Sequence, residues 1–385
     1  MRRNRFHLTN TDNEMTIAEY FAGIGLMRMG LEDSGWRVVF ANDIEKRKKE
    51  MYCGFFPGSE TEYLVRDVFD LSPQDVPSAV LATCSFPCID LSLAGNMAGM
   101  NGRHSSAFWG FYNVLRNQGL QAPQILLVEN VMGWLSSNGG NDFRITIESL
   151  NKLGYYCDAF VLDAARFTPQ SRQRVFVIGT KTPAQAEGVT TLLDRGPDLM
   201  PSSLRRRIEG NQDLLWFGLE LPEPPSHGRI KLFSVIERLA DDDERWWPKD
   251  KVKKHLNMMN ARHRELMLLL KNSRHYRYRT FFRRIREGRQ TAEVRQDDIA
   301  GCLRTAIGGS GRQFLVRFGY GEIRMRGLTA REYARLQGVP DAYPIVSPEV
   351  FALTCFGDAV CVPVISWIAK NALSQVVEVA EFAGV

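Results

Sequence analysis

Short apolar runs alternate with helical segments in the first half of this chain, and that alternation limits the fold more than any other feature. Helical spacing separates four such runs, at residues 15–21, 36–41, 79–82 and 124–128. Strands that alternate with helices form parallel, doubly wound sheets. In these sheets, ligands bind in the crevice at the carboxyl ends of the strands. We therefore predict an α/β fold whose functional residues follow the ends of these runs.

The first run ends in a glycine turn. Gly23 and Gly25 follow Phe21, and glycine at this point lets the backbone approach a ligand closely. Asp43 ends the next run about 20 residues later, where nucleotide-binding βαβ units hold ribose hydroxyls, and Asp67 ends a third, shorter run. Each observation has an ordinary alternative, because tight βα turns also use glycine and an aspartate after a strand is often a helix N-cap. Together they favour a nucleotide-like cofactor pocket.

A thiol and a carboxylate follow two further runs. Pro87 and Cys88 come just after residues 79–84, so proline ends the strand and Cys88 is a candidate nucleophile at the rim of the sheet. Glu129 follows residues 124–128 and would share that rim. The alternative is that Cys88 is one more small, buried hydrophobic side chain.

Two arginines alternate in an extended segment. Arg172 and Arg174 are two positions apart, so their side chains would point to the same face of a strand and could both reach the crevice. A surface ion pair is the alternative. A neighbouring arginine would lower the pKa of Cys88 from the usual thiol value of about 8.5 and increase the thiolate fraction.

Positive charge is concentrated in one region. Residues 245–289 hold fifteen Lys or Arg and three acids, a net charge of +12, whereas the whole chain carries +5 and the remainder is therefore −7. From residue 180 to about residue 298 the α/β alternation stops, which indicates an inserted unit. A solvated charged face is the usual meaning of a basic run, but this imbalance favours contact with nucleic acid.

Within that region, residues 274–284 interleave arginines with aromatic side chains. If this segment is a strand, we expect cations on one face and rings on the other. Arginines bind phosphates and guanine edges, and aromatic rings stack on bases. The candidate DNA-binding residues are Arg274, Arg277, Arg279, Arg283 and Arg284.

The thiol, the carboxylate and the cofactor pocket suit one reaction. A thiolate can add to C6 of a pyrimidine, which turns C5 into a carbon nucleophile, and an acid at N3 assists that addition. C5 then attacks an electrophilic methyl group, and loss of the C5 proton releases the thiol. The base must leave the duplex stack for this chemistry, which costs a few kcal/mol.

The order of these features resembles the DNA (cytosine-5)-methyltransferase family of bacterial or phage type. The resemblance runs along nearly the whole chain except residues 180–300. The matching motifs cover residues 21–25, 42–44, 67–68, 87–88, 129–131, 170–174, 327–340 and 357–360. The fold that it implies is a Rossmann-like, S-adenosylmethionine-dependent methyltransferase sheet of seven mostly parallel strands, with an inserted smaller target recognition domain.

The resemblance also implies roles for single residues. Cys88 would be the nucleophile and Glu129 would bind N3 of the base. Arg172 and Arg174 would hold the cytosine and the covalent intermediate. S-adenosyl-L-methionine would be the cofactor and S-adenosyl-L-homocysteine the product. The residues expected to hold the cofactor are Phe21, Gly23, Ile24, Gly25, Asp43, Ile44, Asp67, Val68, Pro87, Asp358 and Ala359.

Three positions depart from the pattern of the family. Ile89 stands where many members carry Gln. Ile44 replaces a common Trp, so stacking on adenine becomes an apolar contact, and Asp358 replaces the usual Asn. None of these departures removes a catalytic group.

The expected division of the chain is a basic tail at 1–14, a catalytic domain at 15–180, a target recognition domain at 181–300 and a return to the catalytic domain at 301–385. Double-stranded DNA is the expected partner, with a cognate restriction endonuclease or a defence-system protein as a further one. We expect a monomer in the bacterial cytoplasm or nucleoid. Seven cysteines without a CxxC pair favour neither disulfides nor a metal site. No apolar run in the sequence reaches the ~18 residues of a membrane span.

Two other functions stay open at this point. A tRNA cytosine-5 methyltransferase would use the same catalytic residues. Against it, the basic insert is longer than an enzyme that recognises RNA by its shape would need. A non-catalytic DNA-binding relative would keep the scaffold, but Cys88, Glu129 and Arg174 are all present.

Overall fold

One large sheet organises the molecule. The computed structural model describes residues 14–87, 107–182, 188–304 and 311–377, so Cys88 and Ile89 lie outside the described residues. In this part of the chain the sheet has the order β3-β2-β1-β4-β5-β7-β6. Its strands are β1 (Thr16–Tyr20), β2 (Arg37–Asp43), β3 (Tyr63–Val65), β4 (Leu81–Cys84), β5 (Ile125–Val131), β6 (Tyr156–Asp163) and β7 (Gln173–Thr180).

The pairing within this sheet is mostly parallel. Strand β1 pairs in parallel with both β2 and β4, and β4 pairs in parallel with β5. Only β7 runs the other way, antiparallel to both β5 and β6. The α/β fold class and the seven-stranded, mostly parallel sheet predicted from the sequence are confirmed. The strand order reverses between β1 and β4, which is where open α/β sheets form a ligand crevice.

Helices cover both faces of the sheet because successive strand residues point to opposite sides. Ile17 of β1 packs in one apolar core and Ala18 in the other. The first core includes side chains from α1 (Leu26–Glu32) and α2 (Lys46–Phe55), and the second includes side chains from α3 (Ala107–Gln118) and α4 (Asn141–Lys152). The short helices α5 (Gly188–Leu193) and α6 (Ser202–Glu209) follow β7.

The end of the chain returns to the first core. Helices α9 (Ala330–Leu336), α10 (Glu349–Asp358) and α11 (Val362–Ile368) all contribute side chains to it. The helical run Glu349–Val377 is long and apolar enough to cross a membrane, but 61 % of its most apolar window is buried inside the protein. Packing against the sheet therefore accounts for its apolar character.

A smaller antiparallel sheet forms a second layer. It has the order β11-β10-β8-β9. Its strands are β8 (Arg277–Arg286), β9 (Arg289–Val294), β10 (Gln313–Gly319) and β11 (Glu322–Gly327), and α7 (Lys249–Asn257) and α8 (Ala261–Lys271) precede them. The small sheet takes strands from both sides of residue 300. Residues before 220 pack on the large sheet, where Trp216 forms a β-bridge with Cys157 of β6. The boundaries at 181 and 300 stay a prediction from the sequence.

The two sheets are joined at β10 and α9. Leu315 of β10 packs in the core of the large sheet, whereas its neighbours Phe314 and Val316 pack in a separate core beneath the small sheet. Arg326 of β11 donates to both carboxylate oxygens of Glu332 at 2.5 and 2.7 Å, and both side chains are buried. Glu332 also forms the predicted capping box with Thr329. Block 327–340 thus fixes the small sheet against the large one.

Candidate active site

The glycine turn after β1 is held against the end of β2. Phe21, Gly23 and Gly25 all have positive φ angles, of 57°, 56° and 81°. A Cβ atom at Gly25 would lie 2.6 Å from the Phe56 ring, so only glycine fits there. The amide of Gly23 donates to Asp43 Oδ2 at 3.0 Å. The predicted glycine turn and the predicted ribose-binding acid are therefore brought together.

Asp43 also has local partners. Its Oδ1 accepts from the amide of Glu45 at 2.9 Å, and its Oδ2 lies 3.4 Å from Lys48 Nζ. Burial opposes the charge on Lys48, but Asp43 and then Asp358 outweigh it and raise the pKa of Lys48. Burial raises the pKa of Asp358, although Lys48 and Arg172 act in the opposite direction. Lys48, a residue with no sequence motif, therefore lies between the acids of two predicted cofactor motifs.

The third strand contributes differently from the prediction. Asp67 Oδ1 accepts from the amide of Phe69 at 3.0 Å and caps a short 3-10 turn, as in the ordinary alternative. The side chain of Val68 is buried against α3, where a Cβ atom on Gly110 would lie 2.5 Å from it. Solvent reaches Ile44, which is 67 % exposed, and Phe69, which is 45 % exposed. Phe69 is an aromatic candidate for the rim that the sequence motifs do not include.

The chain just after β4 is hydrogen-bonded to the end of β5. Asn130 Nδ2 donates to the carbonyl oxygen of Phe86 at 3.2 Å. Pro87 is the last described residue before Cys88. Glu129 precedes Asn130 on the same strand end, with only 9 % of its side chain exposed. The segment that leads to Cys88 and the predicted carboxylate therefore share one edge of the sheet.

Arg174 pairs with that carboxylate. Its Nε lies 3.0 Å from Glu129 Oε1, and only 13 % of the Arg174 side chain is exposed. The antiparallel register of β5 and β7 places Val131 opposite Arg174. Glu129 is buried and Arg174 is only partly exposed, so the alternative of a surface ion pair does not describe this contact.

Arg172 occupies a different environment. Its guanidinium donates to the carbonyl oxygens of Leu303 at 2.8 Å, Gly357 at 3.0 Å and Ala359 at 2.7 Å. Burial, and then the charge of Arg174, lower the pKa of Arg172 to about 10, so it remains a cation at neutral pH. Arg172 therefore joins two chain segments that are far from it in the sequence.

A second thiol lies at these arginines. Cys302 Sγ is 3.6 Å from Arg172 Nη1. Burial opposes ionisation of Cys302, but Arg172 and Arg174 outweigh it and lower the pKa of the thiol. No sequence motif points to Cys302, because the loop that carries it is more than a hundred residues from Arg172 along the chain. Six cysteines in the described residues are free thiols, and no group of His, Cys, Asp or Glu there could hold a metal ion.

A match along nearly the whole chain identifies the family. The family model for C-5 cytosine-specific DNA methylase matches residues 15–374. The chain belongs to this family. The enzyme class predicted from the sequence, DNA (cytosine-5)-methyltransferase, is confirmed with it.

Relatives and solved structures agree with this assignment. The chain is 25 % identical to type II methyltransferase M.Bsp6I of Bacillus sp. (strain RFL6) over 364 residues, which cover 93 % of this chain and 98 % of that protein. It is 31 % identical to type II methyltransferase M.BsuFI of Bacillus subtilis over 180 residues, 46 % of this chain and 42 % of that protein. A mutant DNMT2 of Spodoptera frugiperda superposes with a TM-score of 0.61 at 18 % identity, over 95 % of this chain and 100 % of that one. At that identity the likeness shows the fold alone.

In this methyltransferase, the predicted DNA-binding arginines fall into two groups. Arg274, Arg277 and Arg284 are exposed and Arg283 is half-buried, with its guanidinium 5.0 Å from the Phe314 ring. Arg279 is buried and forms an ion pair with Asp298, which gives it a structural contact.

The predicted strand exists as β8, but the expected division of its faces is wrong. Alternation places Arg279, Phe281 and Arg283 on one face and Phe282 with Arg284 on the other. Two adjacent phenylalanines shift the pattern by one residue, so arginines and rings occur on both faces.

Proposed function

We propose that this protein transfers a methyl group from S-adenosyl-L-methionine to C5 of a cytosine in a specific sequence of duplex DNA. The observation that carries the proposal is the pair of buried Glu129 and partly exposed Arg174, which lies on the edge of the sheet where β4 leads to Pro87 and Cys88. A carboxyl group held in that position can hydrogen-bond N3 of a pyrimidine while a thiolate adds to C6.

The residues at the glycine turn fit the expected cofactor. An added Cβ atom at Gly23 would meet only the carbonyl oxygen of Phe21, at 3.8 Å, so a ligand can approach this backbone closely. Asp43 supplies carboxylate oxygens for ribose hydroxyls, and the exposed side chain of Ile44 supplies an apolar surface for adenine. When bound, S-adenosyl-L-methionine supplies an electrophilic methyl group. Of the eleven predicted cofactor residues, Val68 could take part only through its backbone, since its side chain is buried against α3.

Four side chains have separate roles in the proposed reaction. We assign Cys88 as the nucleophile that forms a covalent adduct with C6 and leaves when the C5 proton is lost. Glu129 hydrogen-bonds N3, and Arg174 orients Glu129 through the 3.0 Å contact. Arg172 acts as a positioning residue, because its donors contact backbone carbonyls of residues 303 and 357–359.

The target base must leave the helix to reach this edge, and contacts to the flipped base and to the DNA backbone repay the energy of unstacking. The basic small sheet and α7 supply charge for those contacts. We further propose that the enzyme acts as a monomer in the bacterial cytoplasm, with a cognate restriction endonuclease as a functional partner, as the type II relatives suggest.

The test is methyl transfer from labelled S-adenosyl-L-methionine to unmethylated genomic DNA, followed by sequencing that locates 5-methylcytosine. We expect methylation at one short sequence. Cys88→Ser should abolish transfer, while Cys53→Ser, the same change at a half-buried thiol of α2, should retain it. Transfer to tRNA and not to DNA would refute the proposed substrate, and undiminished transfer by Cys88→Ser would refute the covalent mechanism.

A further inference from the structure

A cationic cavity lies in the small sheet, away from the residues of the proposed active site. Its volume is about 260 Å³, and it opens between α7 and the strands β8, β10 and β11. Its lining comprises Trp247, Lys251, His255, Arg283, Arg312, Phe314 and Gly327. Three of these seven residues are Lys or Arg and none is an acid. Such a concentration of like charge in a cleft attracts an anion.

The side chains around the cavity leave space and free hydrogen-bond donors for a ligand. A Cβ atom at Gly327 would lie 2.8 Å from Arg312 Nη2, so glycine at the end of β11 leaves room for this guanidinium. Arg312 Nε is buried and has no hydrogen-bond partner among the described residues. Burial, and then the charges of Arg283 and Arg312, lower the pKa of Lys251. The positive charges therefore act on one another across this cavity, and none of the described residues that line it is an acid.

A buried histidine adds an unused polar atom. His255 is 3 % exposed, its Nδ1 lies 2.8 Å from the carbonyl oxygen of Lys251, and its Nε2 has no partner among the described residues. Because that carbonyl can only accept, Nδ1 carries a proton and Nε2 is the free position. An anion in the cavity would offset the effect of burial, Arg283, Lys251 and Lys254, favour the doubly protonated ring and let Nε2 donate.

The rings of the cavity do not offer a free surface for a base. Lys251 Nζ lies 4.3 Å from the centre of the Trp247 ring system, and the Arg283 guanidinium lies 5.0 Å from that of Phe314. Phe314 also stacks on Phe281 at 5.1 Å. A ligand would therefore meet charge rather than a ring face, which suits a phosphate better than a stacked base.

The cavity is linked to the active-site edge through a short chain of contacts. The residue after Arg312 is Gln313, whose amide donates to the hydroxyl of Tyr333 in α9. A Cβ atom at Gly301 would lie 2.8 Å from Gln313 Oε1, and Gly301 precedes Cys302, which contacts Arg172. A DNA phosphate seated in the cavity would thus be fixed relative to the Glu129 edge.

We propose that this cavity seats one backbone phosphate of the DNA and fixes the position of the duplex relative to the active site. The inference deepens the proposed function and rests on it. A phosphate contact positions DNA without reading its sequence, so it stabilises specific and non-specific complexes alike.

The test compares two duplexes of equal length, one with the methylation target and one with that target scrambled. Affinity for each is measured by fluorescence anisotropy at several salt concentrations, with wild type, Arg312→Gln and Lys251→Gln. The matched control is Arg295→Gln, which removes the same charge from the same region but from an arginine that Asp297 already neutralises at 2.6 Å.

We expect Arg312→Gln to lower the affinity for both duplexes by the same factor. Loss of one phosphate contact lowers the slope of log K against log salt by about 0.9, which is about an eightfold loss at 0.1 M salt when the affinities are equal at 1 M. Arg295→Gln should leave both the slope and the affinity unchanged. If Arg312→Gln does not fold, the exposed Lys251 carries the same test.

Two outcomes would overturn the proposal. A loss confined to the target duplex would show a contact with a base, and an unchanged salt slope for both variants would show that no phosphate binds there. The same duplexes report separately on the proposed function: if wild type binds DNA with the expected salt slope but transfers no methyl group, the proposed function fails while the phosphate site stands.

Discussion

Replacing Arg172 by Met should destabilise this methyltransferase more than it would if Arg172 were only a ligand of the substrate. The guanidinium donates to three carbonyl oxygens at 3.0 Å or less, on Leu303, Gly357 and Ala359. Methionine fills much of the same volume but makes none of these three hydrogen bonds, although Ala359 keeps the side-chain amide of Gln337 as a donor at 3.0 Å and Leu303 keeps the thiol of Cys302 at 3.4 Å. Losing a buried hydrogen bond to a charged donor costs about 1–3 kcal/mol, so the gross loss is about 3–9 kcal/mol.

Part of that loss is recovered, because the folded protein no longer buries a charge. Burial contributes most to the lowered pKa of Arg172, of about 10, which corresponds to roughly 3 kcal/mol of unfavourable environment for the cation. The net decrease in the free energy of unfolding is therefore about 3 kcal/mol. For a chain of 385 residues the entropy of unfolding is about 0.8 kcal/mol per kelvin, so Tm should fall by about 4 °C.

The assay is thermal unfolding followed by circular dichroism, with Arg174→Met as the matched variant. Arg174 contacts Glu129 and the carbonyl oxygen of its own neighbour Gln173. Both Met variants are therefore compared in a Glu129→Gln background, which leaves no buried carboxylate unpaired, and there the loss of Arg174 should lower Tm by less than half as much as the loss of Arg172. Arg172→Lys should restore only part of the stability, because one ammonium group cannot span both chain segments. Equal Tm values for the two Met variants would refute the positioning role of Arg172.

Three further predictions concern single side chains. Glu129→Gln should reduce the rate of methyl transfer by about a hundredfold or more through loss of the acid, with DNA affinity unchanged. Glu148→Gln, at a solvent-facing side chain of α4, should have no effect in the same assay. Gly25→Ala should abolish cofactor binding measured by calorimetry, while Gly58→Ala, which has a similar φ of 85° but no atom within 4 Å of the new Cβ, should retain it. Burial raises the pKa of Glu19 to about 8, so the folded protein holds a proton that the unfolded chain releases above about pH 4.5. The free energy of unfolding therefore falls as pH rises between these two values. Glu19→Gln should flatten this dependence of Tm on pH, and an unchanged slope would contradict the prediction.

Local features of the fold and site could be read directly from the sequence. The strand ends at Gly23, Asp43 and Glu129 follow from apolar runs and their terminating residues, because both signals lie within a few consecutive positions. The capping box of Thr329 and Glu332 is equally local, and the structure confirms it. The order of these motifs along the chain was enough to indicate the family.

Other features depend on residues far apart in the chain. Arg172 and Arg174 share a sequence pattern, yet one contacts the backbone of residues 303 and 357–359 and the other contacts Glu129. Arg279 looks like its exposed neighbours in sequence, but the folded chain buries it against Asp298.

The sequence by itself determined the sheet, the order of its strand-end residues and the chemistry that they can perform, since period and turn signals act over short distances. Only the tertiary structure decided which of those residues meet. It brought Cys302 to the two arginines and gathered the cations of the small sheet around one cavity. Contacts between distant segments are selected by burial and by the pairing of polar groups in the complete fold, and no local pattern records those partners.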